Sequence, residues 1–163
     1  WMGGPVFAVA TITRSVSICR RKLPLMITAS IADCMSKEFA RIHPDMPVVQ
    51  AAGKLIEHAM LGGPVTDGEG LLLGWISEQE CLQVSVQVAY YNQRVATVRD
   101  IMRTEVLTVG LAMEPLLLAQ QMLGDKPKSY PVVDAAGKVL GVITRRHLLQ
   151  MIDRVLPQLS RPA

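Results

Sequence analysis

The sequence predicts an α/β (α+β) protein in which two β-α-β-β-α units pack sheet to sheet as a pseudo-twofold pair within one chain. Three observations predict it. Residues 31–83 match residues 98–150 without a gap. Each copy passes from apolar residues at helical spacing to two short strand-like runs around a glycine turn. One copy alone yields a small sheet with helices on one side only. Its bare face must be buried against something, and the other copy is the obvious partner.

Fourteen of the aligned positions are identical, among them Asp33/Asp100, Met35/Met102, Ala52/Ala119, Pro64/Pro131, Val65/Val132, Asp67/Asp134, Gly70/Gly137, Leu73/Leu140, Gly74/Gly141, Ile76/Ile143 and Leu82/Leu149. Most other pairs are conservative, such as Ile42/Val109, Leu55/Met122, Ile56/Leu123 and Ser77/Thr144. A gapless match means that loops as well as elements keep their lengths. The period exceeds that of the usual solenoid repeats, and two copies suggest a pair and not an array.

The elements follow in the same order in each copy. A helical turn, Ile31–Met35 or Val98–Met102, leads to a brief strand, Phe39–Ile42 or Val106–Val109. A helix follows. Asp45 is a candidate cap for the first, whose Val48, Ala52, Leu55, Ile56, Ala59 and Met60 recur at helical spacing. Pro115 suits the first turn of the second, and Ala119, Met122 and Leu123 continue its face. Next come hairpins, with Pro64–Asp67 and Pro131–Asp134 leading into turns where Gly70 and Gly137 supply a positive φ. The returning strands are Leu71–Ser77 and Lys138–Thr144. A final helix carries Cys81, Leu82 and Val84, or Leu148, Leu149, Ile152, Val155 and Leu156. The expected division is an N-terminal arm over 1–26, a first unit over 27–92, a linker over 93–97, a second unit over 98–156 and a tail over 157–163.

Composition narrows the function classes. Half of the residues are hydrophobic and 19% are charged, which is globular. Aromatics are only 4%, so the core must be aliphatic. No apolar run approaches the roughly 20 residues that span a bilayer. The net charge of +3 is unevenly held: Arg14, Arg20, Arg21 and Lys22 stand in an arm without acids. The rest of the chain is therefore slightly acidic, and no Lys/Arg cluster marks a nucleic-acid face. The arm's apolar stretch, Val6–Ile12, precedes its basic residues, the wrong order for a secretory signal. We read the arm as an extended start or a tag-like segment, with Met26 a natural beginning, the alternative being an amphipathic anchor or a partner-binding arm. The three cysteines, Cys19, Cys34 and Cys81, have no metal or redox spacing and suit a reducing, cytoplasmic location. Cys34 aligns with Ile101 and Cys81 with Leu148, the pattern of small core hydrophobes.

Enzyme signatures are absent: there is no Gly-x-Ser-x-Gly, His-Glu-x-x-His, phosphate loop or dinucleotide fingerprint. His43, His58 and His147 have no metal spacing. The residues do offer an anion site. Ser77 and Thr144 each end a strand and begin a helix, where a hydroxyl can cap and free N–H groups favour an anion. Arg145 and Arg146 follow Thr144, and guanidinium groups suit phosphate. The same residues also read as ordinary N-caps with solvated arginines.

The run Val98-Arg99-Asp100-Ile101-Met102, then Pro131-Val132-Val133-Asp134-Ala135-Ala136-Gly137-Lys138-Val139-Leu140-Gly141-Val142-Ile143-Thr144, resembles the cystathionine-β-synthase (CBS) domain. The first copy matches more loosely through Asp33, Met35, Pro64, Val65, Asp67, Gly70, Gly74, Ile76 and Ser77. The resemblance covers residue 27 to about residue 156. It implies a tandem pair, or Bateman module, that is regulatory and not an enzyme. Such a module binds AMP, ADP, ATP or another adenosine ligand in a cleft between the copies, has no resident cofactor or metal, and often forms a homodimer through its helices.

The family pattern also implies the walls of the site. Arg41-Ile42 and Thr108-Val109 would present backbone and an apolar side chain to a base, and Gly62-Gly63 and Ser129-Tyr130, leading into Pro131, would line the opposite side. Gly62-Gly63 is either a close-approach site or a turn, and Tyr130 either a stacking ring or a core aromatic. The family's ribose-binding Asp, three residues after the Ser/Thr, is replaced by Glu80 and His147. Glu80 still accepts hydroxyls at a longer reach, whereas His147 cannot imitate a bidentate carboxylate. The second copy, with Thr108, Val109, Ser129, Tyr130, Thr144, Arg145, Arg146 and His147, is the better site. Around Ser77, Glu78 and Glu80 would repel phosphate. The alternative is a ligand-free scaffold that holds a homodimer or an unknown protein partner through its apolar helices, including Val84–Tyr91. Neither reading calls for nucleic acid or a membrane.

Overall fold

Two hairpins organise the chain. In the computed structural model, which describes residues 29–159, β1 (Gly62–Thr66) pairs antiparallel with β2 (Leu72–Ser77), and β3 (Ser129–Val133) with β4 (Val139–Thr144). The predicted arm, 1–26, lies outside the described residues.

The two turns are built alike. Gly70 and Gly137 take φ of 86° and 84°, the left-handed region that favours glycine. Asp67 Oδ1 accepts from the Glu69 and Leu71 N–H groups, and Asp134 Oδ1 from those of Ala136 and Lys138. The identical Asp and Gly pairs of the repeat are thus the residues that close the turns. The turns also meet each other: Leu72 N donates to the Gly137 carbonyl and Val139 N to that of Gly70.

The expected third strands, Phe39–Ile42 and Val106–Val109, shrink to one parallel bridge each, Ile42 to Val65 and Val109 to Val132. Proline is the reason. The side of β3 facing this segment offers the Pro131 carbonyl, which accepts from Val109 N, and the Val133 N–H, which donates to the Val109 carbonyl. The next donor in that row is the nitrogen of Pro131, which has no hydrogen, and Pro64 occupies the matching place in β1.

Helices α2 (Val48–Glu57) and α3 (Glu78–Tyr91) pack together over the first hairpin, and α5 (Pro115–Gln121) packs with α6 (Arg145–Leu159) in the second half. Across the chain, β1 contacts β3 and β4. Asp45 does not cap α2. The helix starts at Val48 after Pro47, its first N–H donates to the Ala96 carbonyl, and Asp45 instead holds Arg99 at 3.1 Å. Pro115 does open α5. Leu82 and Leu149, expected on inward helix faces, are exposed, as are Ile56 and Leu123. One hairpin is too narrow to cover both flanks of its two helices. The last helix runs to Leu159, with Pro157 inside it.

The short helices α1 (Ile31–Cys34) and α4 (Val98–Ile101) cross over. Ile31 is buried with Val109, Leu118, Tyr130, Ile143 and Leu148 of the second half. Val98 is buried with Ile42, Leu55, Val65 and Ile76 of the first. Each turn therefore completes the core of the other copy. Both are closed by capping boxes, Ser30 with Asp33 and Thr97 with Asp100, which accounts for the identical aspartates. After each turn the chain docks on the other hairpin. Ser36 exchanges two backbone hydrogen bonds with Val142, and Arg103 two with Trp75. These crossings require Gly141 and Gly74, where a Cβ would stand 2.5 Å from the Ser36 carbonyl oxygen and 2.6 Å from that of Arg103.

Candidate functional site

A cleft of about 520 Å³ opens where the two halves meet. One wall is Ser36, Glu38 and the segment His58–Gly62; the other is Lys128, Ser129, Val142 and the run Thr144–His147 at the start of α6. Of the predicted site residues, Ser129, Thr144, Arg145, Arg146 and His147 come together here, with the predicted Gly62 facing them.

Thr144 caps α6. Its Oγ1 accepts from His147 N at 3.3 Å, and His147 Nδ1 accepts from Thr144 N at 3.2 Å. This is a capping box in which an imidazole replaces the usual carboxylate. Nδ1 must be unprotonated to accept, which leaves Nε2–H as the ring's donor. Burial first, and the charge of Arg146 second, hold the His147 pKa below the usual imidazole value. Arg145 N donates to the Lys128 carbonyl, which ties the helix start to the residue before β3. Lys128, Arg145 and Arg146 are all exposed and form no ion pair among the described residues. Three cations and a helix N-terminus face the cleft, with Glu38 as the acidic residue in its wall. Exposed cations of this kind suit the oxygens of an anion.

The other predicted residues lie elsewhere. Ile42, Val109 and Tyr130 are core side chains, and Pro131 and Gly63 are buried in their strands. Arg41 is exposed, with its guanidinium over the Phe39 ring. Thr108 and Tyr130 are 0% and 1% exposed, and among the described residues theirs are the two buried side-chain polar atoms without a hydrogen-bond partner. Burial raises the Tyr130 pKa, so its phenol stays neutral.

Ser77 and Glu80 occupy the mate of this cleft, and both are engaged. Glu80 Oε2 accepts from Ser77 N and Oγ at 2.8 and 2.9 Å, and Oε1 accepts from Arg103 Nε at 2.6 Å. Burial raises the thiol pKa of Cys34 and of Cys81, which disfavours the reactive thiolate at both.

Sequence reasoning missed Ser36, Glu38 and His58–Leu61. Their place in the cleft depends on the crossing of α1, for which the repeat carries no signal. Lys128 could have been found from its position beside Ser129. A larger groove, of about 710 Å³, lies between α2 and α3 and is lined mostly by apolar residues such as Leu55, Ile56, Met60 and Leu82. It holds none of the predicted site residues. Gly63 stands beside it, with space for a Cβ only 3.2 Å from Leu55, whereas the second half has the buried Tyr130 at the matching position.

The sequence profile of the CBS domain matches this chain twice, over residues 31–87 and 98–154. The chain belongs to the CBS domain family. It is a tandem CBS pair, and the two matches cover the two halves just described. It is 24% identical over 153 residues to inosine-5'-monophosphate dehydrogenase of Methanocaldococcus jannaschii, covering 94% of this chain and 29% of that protein. The chain spans between 29% and 64% of the length of the curated relatives it matches.

Among solved structures, the CBS-pair protein CBSX2 of Arabidopsis thaliana is similar. Its complex with AMP is 27% identical with a TM-score of 0.66, covering 81% of this chain and 98% of that one. The CBS domain pair of protein MJ0100, in complex with 5-methylthioadenosine and S-adenosyl-L-methionine, is 25% identical with a TM-score of 0.65, covering 76% and 99%. No helix among the described residues is long and apolar enough to cross a membrane.

Proposed function

We propose that this CBS pair is a non-catalytic regulatory module that binds an adenine nucleotide in the cleft at Thr144. The observation that carries the reading is the gathering of Lys128, Arg145 and Arg146 around the capped start of α6, in a cleft walled by both halves. Phosphate oxygens would lie against these cations and the helix start. A ligand touching both walls binds the closed pair better than a loosened one, and so shifts the packing that a partner reads. The AMP bound by CBSX2 and the adenosine compounds bound by the MJ0100 pair support the choice of ligand class. His147 offers a donor where a ribose-binding carboxylate would accept, which favours recognition through phosphate over recognition through the sugar.

The test is thermal unfolding against a panel of adenine and guanine nucleotides. Ligand at a hundredfold excess over Kd stabilises by about 2.7 kcal/mol, an upward shift in Tm of several degrees. Thr144→Ala and Arg146→Ala should each remove the shift relative to the variant's own ligand-free Tm. A panel without response would reject the reading.

One observation favours a second reading, a ligand-free scaffold. The apolar α2/α3 groove is flanked by Ile56 and Leu82, 79% and 65% exposed. Such a surface suits a homodimer or another protein. Concentration-dependent mass that is indifferent to nucleotides would support it.

A further inference from the structure

The repeat relates the Thr144 cleft to a second place in the molecule, and the residues there differ in size and charge. On the open side the crossing pair is Ser36 and Val142; on the other it is Arg103 and Trp75. Each pair exchanges both backbone hydrogen bonds, so the two side chains stand side by side on one face. Two small side chains leave a hollow in the first case; in the second the Trp75 indole fills it, and Arg103, 62% exposed, stands at its edge toward Glu80. The indole of Trp75 lies over Gly62, where even a Cβ would come within 2.7 Å of Nε1. Arg103 Nε reaches Glu80 Oε1 at 2.6 Å, while Glu80 Oε2 is held by the Ser77 cap. The charges also differ. Where the open cleft has Lys128, Arg145 and Arg146, its mate has Leu61, Glu78 and Gln79.

We infer that the Ser77 cleft is closed by its own side chains, with Trp75 over Gly62 and Arg103 beside it latched to Glu80, so that each chain offers one ligand site and not two. This rests on the proposed nucleotide reading for the identity of the ligand, but not for the latch. The asymmetry makes the module directional: a ligand acts on one side of the pseudo-twofold pair, while the other side is occupied by the chain's own side chains.

Two measurements test it. Trp75 is one of two tryptophans, so the Trp1→Phe chain reports on Trp75 alone. In that background, Arg103→Ala should raise the acrylamide quenching constant of Trp75 at least twofold, and Arg103→Lys should restore most of the protection. Equal quenching with and without Arg103 overturns the latch, whatever nucleotides do. Calorimetric titration of the unaltered chain with AMP should saturate at one AMP per chain, and Arg146→Ala should weaken it tenfold or more while Ser77→Ala leaves it within twofold. Saturation at two per chain, or loss of the single site in Ser77→Ala, overturns the inference. If AMP does not bind, the titration is repeated with the nucleotide that gives the largest thermal shift; no binding by any member of the panel rejects the proposed function and leaves the quenching result to decide the latch.

Discussion

The α-carbon of Gly141 lies directly beneath the Ser36 carbonyl, where a methyl group would sit 2.5 Å from the oxygen and 3.0 Å from the Met35 sulfur. Gly74 stands in the same relation to Arg103 and Met102, at 2.6 and 3.0 Å. These contacts let each crossing segment pair with the opposite hairpin. Gly141→Ala forces the backbones apart and should cost about 1–3 kcal/mol, read by urea unfolding. An unchanged midpoint would show that the crossing tolerates displacement.

Ile31 belongs energetically to the second half, although it opens the first. It is fully buried among Val109, Leu118, Tyr130, Ile143 and Leu148. Ile31→Ala should cost about 2–5 kcal/mol. Hydrogen exchange should rise first in β3 and β4, not in the β1–β2 hairpin that follows Ile31 in sequence.

Glu80 carries two tasks that separate by substitution. Arg103→Ala removes an exposed ion-pair partner and should cost less than about 1 kcal/mol. Glu80→Ala also removes the capping box of α3 and should cost about 1–2 kcal/mol. A double-mutant cycle on the pair measures the coupling. A cost for Arg103→Ala equal to that for Glu80→Ala would contradict this division.

His147 makes stability depend on pH in a defined direction. In the native chain the imidazole is held neutral, with Nδ1 accepting from Thr144 N. In the unfolded chain it titrates near 6.5. As pH falls through that value the unfolded state takes up a proton that the native state resists, so the stabilisation present above it declines below it. His147→Gln keeps an acceptor that does not titrate. Wild type should lose stability relative to this variant between about pH 7 and pH 5, measured by denaturant midpoints at each pH.

Tyr130 buries a hydroxyl that has no partner among the described residues. Tyr130→Phe removes that unsatisfied group and should leave stability unchanged or raise it by about 1 kcal/mol. A loss of that size in the absence of ligand would mean that the hydroxyl is bonded in solution.

What could be read from the chain was what short-range chemistry dictates. The hairpin turns follow from Asp67 with Gly70 and Asp134 with Gly137, whose bonds close within a few residues. The helix starts at Ser77, Thr144 and Pro115 follow in the same way, because a cap acts on the turn beside it. Helical spacing placed Leu55 in the core, since its burial is fixed by the face of its own helix, but the same pattern also took in Ile56, which is exposed. The repeat, however, treats both halves alike, and a one-dimensional match cannot say which half a segment joins. Folding broke that tie: α1 and α4 exchange places because each finds its apolar partners in the opposite hairpin. The same crossing put Ser36 beside Val142 and Arg103 beside Trp75, leaving one cleft open and filling the other with bulk and an ion pair. Side-chain volume decides a cavity only once residues distant in sequence share a face, and that sharing is created by packing.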